Sequence, residues 1–326
     1  MTRRLGCAAA GLLFGATVAA GLKPEPVAEL LAAARKAESA SFAVFKNGKY
    51  VAGFGETKAV PIYSVTKAVV SLAAGRLFTS GQWKNVDVPI GSLLKELADD
   101  PKGAVTLRQL MSHTSGIRDA RDEQGRVLKE WNTATDWVAA ALARPMSGDA
   151  PGTAFKYNNQ GPVLVAAAVE RAAGMRLDRF LRRDIFDPLC GSKTSWETDK
   201  AGHAAGYTGL SISAFDLAKL GQLVLNRGMW GSQRILSEEW VSQSALEVSQ
   251  SVAKNVGLLW FVEMEQPRFP LPLMVYHDGD GGQYLAIFPN HGIVVARTIG
   301  RGDSSDEEVM RNFYRLAADL LIKRQQ

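Results

Sequence analysis

Runs of branched and aromatic residues lie near both ends of this 326-residue chain, with a long Ala- and Leu-rich stretch between them. Near the N-terminus, residues 41–45 and 49–54 read as two strands joined by Asn47-Gly48, a hairpin signal because both turn positions accept positive φ. Near the other end, residues 257–264, 284–288 and 293–298 have strand character, with Pro289-Asn290-His291-Gly292 turning between the last two. Residues 26–39 carry Val27, Leu30, Leu31 and Ala34 at the spacing of one helix face. Residues 305–323 read as a closing helix, with acids in its first turn and Lys323-Arg324 at its end. The middle, residues 64–245, is mostly helical and punctuated by polar loops. One of these, residues 118–132, is long and charged enough to sit over a cleft rather than in a core. Strands at both ends with helices between them predict an α/β (α+β) fold built on one mostly antiparallel sheet. The helical middle is either a second lobe or an insertion.

The composition, 46% hydrophobic and 22% charged without repeats or low-complexity tracts, sets aside disorder and solenoids. Arg3 and Arg4 followed by the apolar residues 5–20 read as an export signal, with Val18 and Ala20 suiting the positions before a cut. The competing reading is a retained anchor, but a run of about 16 residues rich in Ala and Gly is short for a span. The expectation is a signal peptide over residues 1–20 and one domain over 21–326, periplasmic or secreted, with no membrane span after cleavage. Without its leader the chain keeps 36 of its 38 basic residues against 33 acids, a net charge of about +3, and the basic residues are scattered. That is too mild a charge to argue for nucleic acid, and no nucleic-acid partner is expected. Cys190 is then the one thiol left, so no intramolecular disulfide forms.

The chemistry begins at Ser64-Val65-Thr66-Lys67. Three residues along a helix put two side chains on one face, so the lysine amine reaches the serine hydroxyl and helps remove its proton. A serine at a helix N-terminus also has free backbone N–H groups beside a developing oxyanion. Two further Ser-x-x-Lys copies exist, Ser92 to Lys95 and Ser251 to Lys254. Only Ser64 follows a proline-containing segment and leads into a small-residue run, residues 68–74, of the kind that forms a buried helix. A second element is Tyr157-Asn158-Asn159 after Pro151-Gly152-Thr153. On a turn it presents a phenol and an amide to one cleft, or simply caps the next helix. The third is His277-Asp278-Gly279-Asp280-Gly281-Gly282-Gln283, before a strand. Its glycines allow close backbone approach, or serve a flexible hairpin entry.

The order and spacing of these elements resemble the serine β-lactamase and penicillin-recognising family. The likeness is to the class C β-lactamase branch, which also holds DD-peptidases, esterases and aminohexanoate-oligomer hydrolases. Leu110-Met111-Ser112-His113-Thr114-Ser115-Gly116 is similar to that family's Leu-Leu-Ser-His-Thr-Ser-Gly. Pro188-Leu189, Asp216-Leu217-Ala218-Lys219-Leu220 and Gly257-Leu258-Leu259-Trp260 also match, so the likeness runs from about residue 40 to 300. The resemblance implies an antiparallel sheet flanked by N- and C-terminal helices plus a mostly helical lobe. An α/β lobe would take about 25–65 and 250–326, and the helical lobe about 66–249. It implies Ser64 as acylated nucleophile, Lys67 as its partner and Tyr157 as the base. Asn159 would bind substrate amides, His277 and Gly279 would contact substrate, and the N–H groups of Ser64 and Asp280 would form the oxyanion hole. No cofactor is implied.

The relatives that hydrolyse β-lactams have Lys-Thr-Gly where this chain has His277-Asp278-Gly279, so a substrate carboxylate loses a permanent cation and meets an anion. The functional expectation is a secreted serine hydrolase of small-molecule esters or amides. The alternatives are a β-lactamase or DD-peptidase, and a catalytically silent binding member of the fold. A triad of His113 with Ser115 and Asp119 is not supported, because the chain has no Gly-x-Ser-x-Gly elbow. Four scattered histidines give no metal-ligand spacing.

Overall fold

The computed structural model describes residues 21–189, 191, 194–246, 252–253, 255–264, 272–300 and 307–322. The leader, Cys190, Ser251 and Lys254 lie outside the described residues. A six-stranded antiparallel sheet joins the two ends of the chain. Its strands are β1 (Ser39–Lys46), β2 (Lys49–Phe54), β3 (Phe261–Glu263), β4 (Met274–Gly279), β5 (Gln283–Phe288) and β6 (Ile293–Ile299). The spatial order is β2-β1-β6-β5-β4-β3. The β1–β2 hairpin turns at Asn47 (φ 50°) and Gly48 (φ 77°), both left-handed as a two-residue hairpin with the sheet's twist requires.

Residues in β1, β5 and β6 are almost all buried because both sheet faces are covered. Phe42 and Val44 alternate with Ala43 and Phe45, so the two sets enter different cores. One core holds Phe42, Val44, Ala286, Phe288 and Val295 under the two terminal helices, α1 (Pro24–Lys36) and α5 (Glu307–Leu321). The larger core holds Ala43, Leu285, Ile287, Val294 and Ala296. It packs against α2 (Thr66–Thr79), α3 (Gln160–Ala173) and α4 (Ala214–Leu225). Among the described residues no helix is long and apolar enough to cross a membrane.

Several elements differ from the sequence reading. Strand character over 257–264 shrinks to β3, because Leu259 takes φ 61° and gives its N–H to Met111 O at 2.7 Å rather than to a neighbouring strand. The sheet instead gains β4, whose short run ends in Asp278-Gly279 and lacks a clean periodic signal. The helical middle also contains a small sheet of Val60–Pro61, Leu210–Ile212 and Ser195–Trp196. Ser64 does not open the α-helix; it sits in a 3₁₀ turn, Tyr63–Val65, just before α2.

Helix α2 is buried on nearly every side, from Thr66 through Gly75 and at Leu77, as expected of a helix at the centre of a fold. Gly75 is where the Trp240 indole, itself stacked on Phe78 at 4.7 Å, lies directly on the helix backbone. A methyl there would overlap the indole ring. Gly→Ala in a free helix gains up to about 1 kcal/mol, whereas overpacking a close-packed core costs about 1–3 kcal/mol. Gly75→Ala is therefore expected to lower stability by about 1–2 kcal/mol in urea unfolding. An unchanged or raised midpoint would show that Trp240 yields at little cost.

Candidate functional site

The small sheet feeds the chain into the turn that carries Ser64. Ile62 N–H donates to Leu210 O at 2.9 Å and Val65 N–H to Ile62 O at 3.1 Å. Between them Tyr63 takes φ 45°, a left-handed conformation uncommon outside glycine and a mark of stored local strain. Ser64 emerges half-buried, and three residues later Lys67 is fully buried in the first turn of α2.

Lys67 Nζ donates to Ser64 Oγ at 3.0 Å and to Tyr207 O at 2.9 Å. It also lies 5.0 Å from the Tyr157 ring centroid and 5.8 Å from that of Tyr207. Burial pulls the Lys67 ammonium down to about 7. The Asp280, Asp119 and Asp278 carboxylates act against that pull, and Arg121 adds to it.

Tyr157 arrives from a loop before α3, and its Oη donates to Ser64 Oγ at 3.0 Å. Its phenol is pushed above the ordinary range, mainly by burial of the hydroxyl and then by Asp278, Asp280 and Asp119, with the Ser64 hydrogen bond opposing. The residue is nonetheless 39% exposed, because one flank of the ring faces the cleft opening. Asn159 stands at the start of α3, gives its N–H to Asp119 Oδ1 at 3.3 Å and lines the same cleft. Asn158 is buried and structural: its Oδ1 accepts from Gly161 N–H at 2.8 Å.

The end of β4 forms the opposing wall. A Cβ on Gly279 would sit 2.5 Å from Ile62 O and 3.1 Å from Ser64 N, so only glycine lets the strand lie alongside the nucleophile turn. Asp280 follows in a 3₁₀ turn, Asp280–Gly282, and lines the cleft with Asp278 and Gly279.

His277 does not reach the cleft wall. Its register partner is Leu285, which pairs in turn with Ala296, and all three face the larger core. The ring is 1% exposed, 5.1 Å from that of Phe261, with Nδ1 2.7 Å from Asp278 O. Burial, helped by Lys67, takes the imidazole down to about 3, with the bond to Asp278 O opposing, so it is neutral. A substrate contact through this side chain is therefore corrected: strand alternation turns it inward, and Asp278 is the triplet side chain left in the wall.

The cleft holds about 430 Å³. Residues 118–132 supply Asp119, Arg121 and Trp131 to its rim, with Arg121 Nε 3.5 Å from Asp119 Oδ2. Sequence reasoning marked that loop by its length and charge but missed Tyr207, which gives Lys67 a backbone carbonyl and a ring face and belongs to no motif. Ser92 lies elsewhere: it is exposed, with Oγ donating to Pro89 O at 2.7 Å. Among the described residues no three or more His, Cys, Asp or Glu side chains gather as metal ligands.

A family model described as Beta-lactamase matches residues 26–320. The 6-aminohexanoate-dimer hydrolase of Paenarthrobacter ureafaciens is 25% identical over 220 residues, covering 64% of this chain and 56% of that protein. Penicillin-binding protein 4* of Bacillus subtilis (strain 168) is 33% identical over 100 residues, 29% of this chain and 22% of that protein. The chain thus spans about half the length, or less, of these curated relatives. The solved penicillin-binding protein from Bacillus halodurans superposes with a TM-score of 0.68 at 16% identity, covering 88% of this chain and 99% of that one; the likeness is one of fold.

The Gly279 contact yields a direct test. Gly279→Ala should force the wall away from Ser64 and slow covalent labelling of Ser64 by a fluorophosphonate at least about tenfold, since displacements near 1 Å cost up to about 10²-fold. Wild-type labelling rates in a folded Gly279→Ala protein would mean the two segments separate without consequence.

Proposed function

Because this chain belongs to the β-lactamase family of serine hydrolases, we propose that it cleaves an ester or amide bond of a small molecule through an acyl-enzyme on Ser64. The observation that carries this reading is Ser64 Oγ accepting hydrogen bonds of 3.0 Å from both Lys67 Nζ and Tyr157 Oη beside an open cleft. A serine hydroxyl needs a base, and Lys67, at about 7, offers a neutral amine near neutral pH. Tyr157, pushed upward, stays a phenol at rest, so it is already protonated and cannot take the Ser64 proton. On that basis Lys67 rather than Tyr157 is the first proton acceptor, a departure from the role that the family resemblance implies.

Neutral Lys67 takes the Ser64 proton as Oγ bonds to the substrate carbonyl carbon, and the carbonyl electron pair moves to its oxygen. The N–H groups of Ser64 and Asp280 are the proposed donors to that oxyanion, each such donor contributing about 10²–10³ in rate. Collapse expels the leaving group, which takes the Tyr157 proton, and the Lys67 ammonium reprotonates the phenolate. Water then attacks the acyl-enzyme through the same relay and frees Ser64. Asn159, at the mouth, is proposed to bind the substrate's amide or ester flank. The leader read in residues 1–20 makes a periplasmic or secreted location part of this proposal.

The relatives' names include a 6-aminohexanoate-dimer hydrolase and a penicillin-binding protein. Asp278 and Asp280 in the wall favour uncharged acyl substrates over penicillins, whose carboxylate would approach like charge.

Ser64→Ala should abolish fluorophosphonate labelling. Lys67→Ala and Tyr157→Phe should each lower turnover of a simple alkyl ester by about 10²–10⁴, as lost proton transfer does, while Ser92→Ala leaves it intact. Equal damage at Ser92 would sink the assignment. Since the base is neutral Lys67, wild-type acylation should rise as pH passes about 7, and a profile flat from about pH 5 to 9 would rule that base out. Asp278→Thr should raise the penicillin-to-ester rate ratio about tenfold, the equivalent of about 1.4 kcal/mol. No shift in that ratio, in a folded variant, would mean that Asp278 does not read the substrate carboxylate.

A further inference from the structure

We propose that His113 is the positioning residue of Tyr157, holding the phenol on Ser64 from behind the cleft. The inference rests on the reading of Ser64 and Tyr157 as partners in acyl transfer.

His113 follows the short helix Leu107–Met111 and takes φ 57°, a conformation that a non-glycine residue adopts at a cost. From there one residue engages three consecutive residues of the loop that carries the phenol. Its carbonyl accepts the Lys156 N–H at 2.8 Å, and its Nδ1 accepts the Asn158 N–H at 3.4 Å. Its ring lies on the Tyr157 ring, centroids 4.6 Å apart and planes 35° apart. The neighbouring Thr114 carbonyl binds Gly152 N–H at 2.7 Å, tying the same loop earlier in its course. Phe155 meets the imidazole edge-on at 6.0 Å.

The imidazole is suited to hold rather than to exchange protons. It is 1% exposed and absent from the cleft wall, and its Nε2 has no hydrogen-bond partner among the described residues. Burial, then Lys67 and His277, hold it well below the usual imidazole range. It therefore remains neutral, with Nδ1 as an acceptor, and Nε2 carries the hydrogen. A phenyl ring would keep the stacking surface and lose the acceptor, leaving the buried Asn158 N–H unpaired. An asparagine would tolerate the left-handed backbone and lose the stacking surface.

A positioning role acts through Tyr157, so its effect must vanish when the phenol hydroxyl is absent. The experiment is a double-mutant cycle on Ser64 labelling by an O-alkyl carbamate, whose leaving alkoxide needs the phenol's proton, followed by intact mass. It uses wild type, His113→Asn, Tyr157→Phe and the double variant, with folded fraction measured by circular dichroism. His113→Asn should slow labelling about 10- to 100-fold, as expected for a phenol displaced by about 1 Å. The double variant should label within about twofold of Tyr157→Phe alone. Losses that multiply, or that merely follow a reduced folded fraction, would overturn the proposal. Should His113→Asn not fold, His113→Phe carries the same cycle with a smaller loss. Wild-type protein that fails to label at Ser64 would remove the underlying reading and this proposal together. Full-rate labelling of folded His113 variants beside a labelled wild type would overturn the positioning role alone.

Discussion

A lysine side chain with no solvent exposure, in the first turn of the most buried helix of the fold, sets the terms for what surrounds it. An ammonium removed from water costs several kcal/mol unless it is paired or neutralised. Here both remedies operate. The Tyr207 carbonyl and Ser64 hydroxyl accept from Nζ, two tyrosine rings face it, and burial brings its deprotonation within reach of neutral pH. Three carboxylates across the cleft keep that lowering from going further. The opposing effects leave Lys67 charged or neutral by a small margin, which a proton-transfer residue requires.

Holding that environment takes backbone that local preference alone would not choose. Tyr63, His113 and Leu259 all have positive φ without being glycine, and each sits at a joint around the cleft. Tyr63 turns the chain so that Ser64 meets the end of β4. His113 reaches the Tyr157 loop. Leu259 binds Met111 O and so draws the segment before β3 against the His113 turn. Conformations of this kind cost about 1–3 kcal/mol each and persist where the surrounding packing over-determines them. The packing that does so is the larger core, in which the sheet face bearing Ala43, Leu285 and Ala296 meets α2, α3 and α4. Gly221 in α4 and Gly279 in β4 mark where that core and the cleft wall admit no side chain.

The same physics explains how one fold is kept at 16% identity to the Bacillus halodurans protein. The sheet needs branched residues on two covered faces, α2 needs small ones, and neither demand names a particular residue. The cleft is less tolerant, because a glycine against Ser64 N and an amine three residues from the serine have no substitutes of equal shape.

Much of the architecture is legible in local patterns. The Asn47-Gly48 hairpin, the terminal helices and the strands at both ends depend on neighbours within a few residues, where backbone preference and side-chain periodicity act directly. The three-residue spacing of Ser64 and Lys67 is local too, so the chain's own order is enough to pair them. Other features required the assembled fold, because they join residues remote in the chain: Tyr157 Oη meets Ser64 across 93 positions, and the Tyr207 carbonyl meets Lys67 across 140. Strand alternation within a finished sheet turned His277 into the core and left Asp278 in the cleft wall, a choice that only the strand register makes. The proton affinities of Lys67 and Tyr157 belong to the tertiary structure as well, since desolvation is a property of everything packed around a group and not of the group's own sequence.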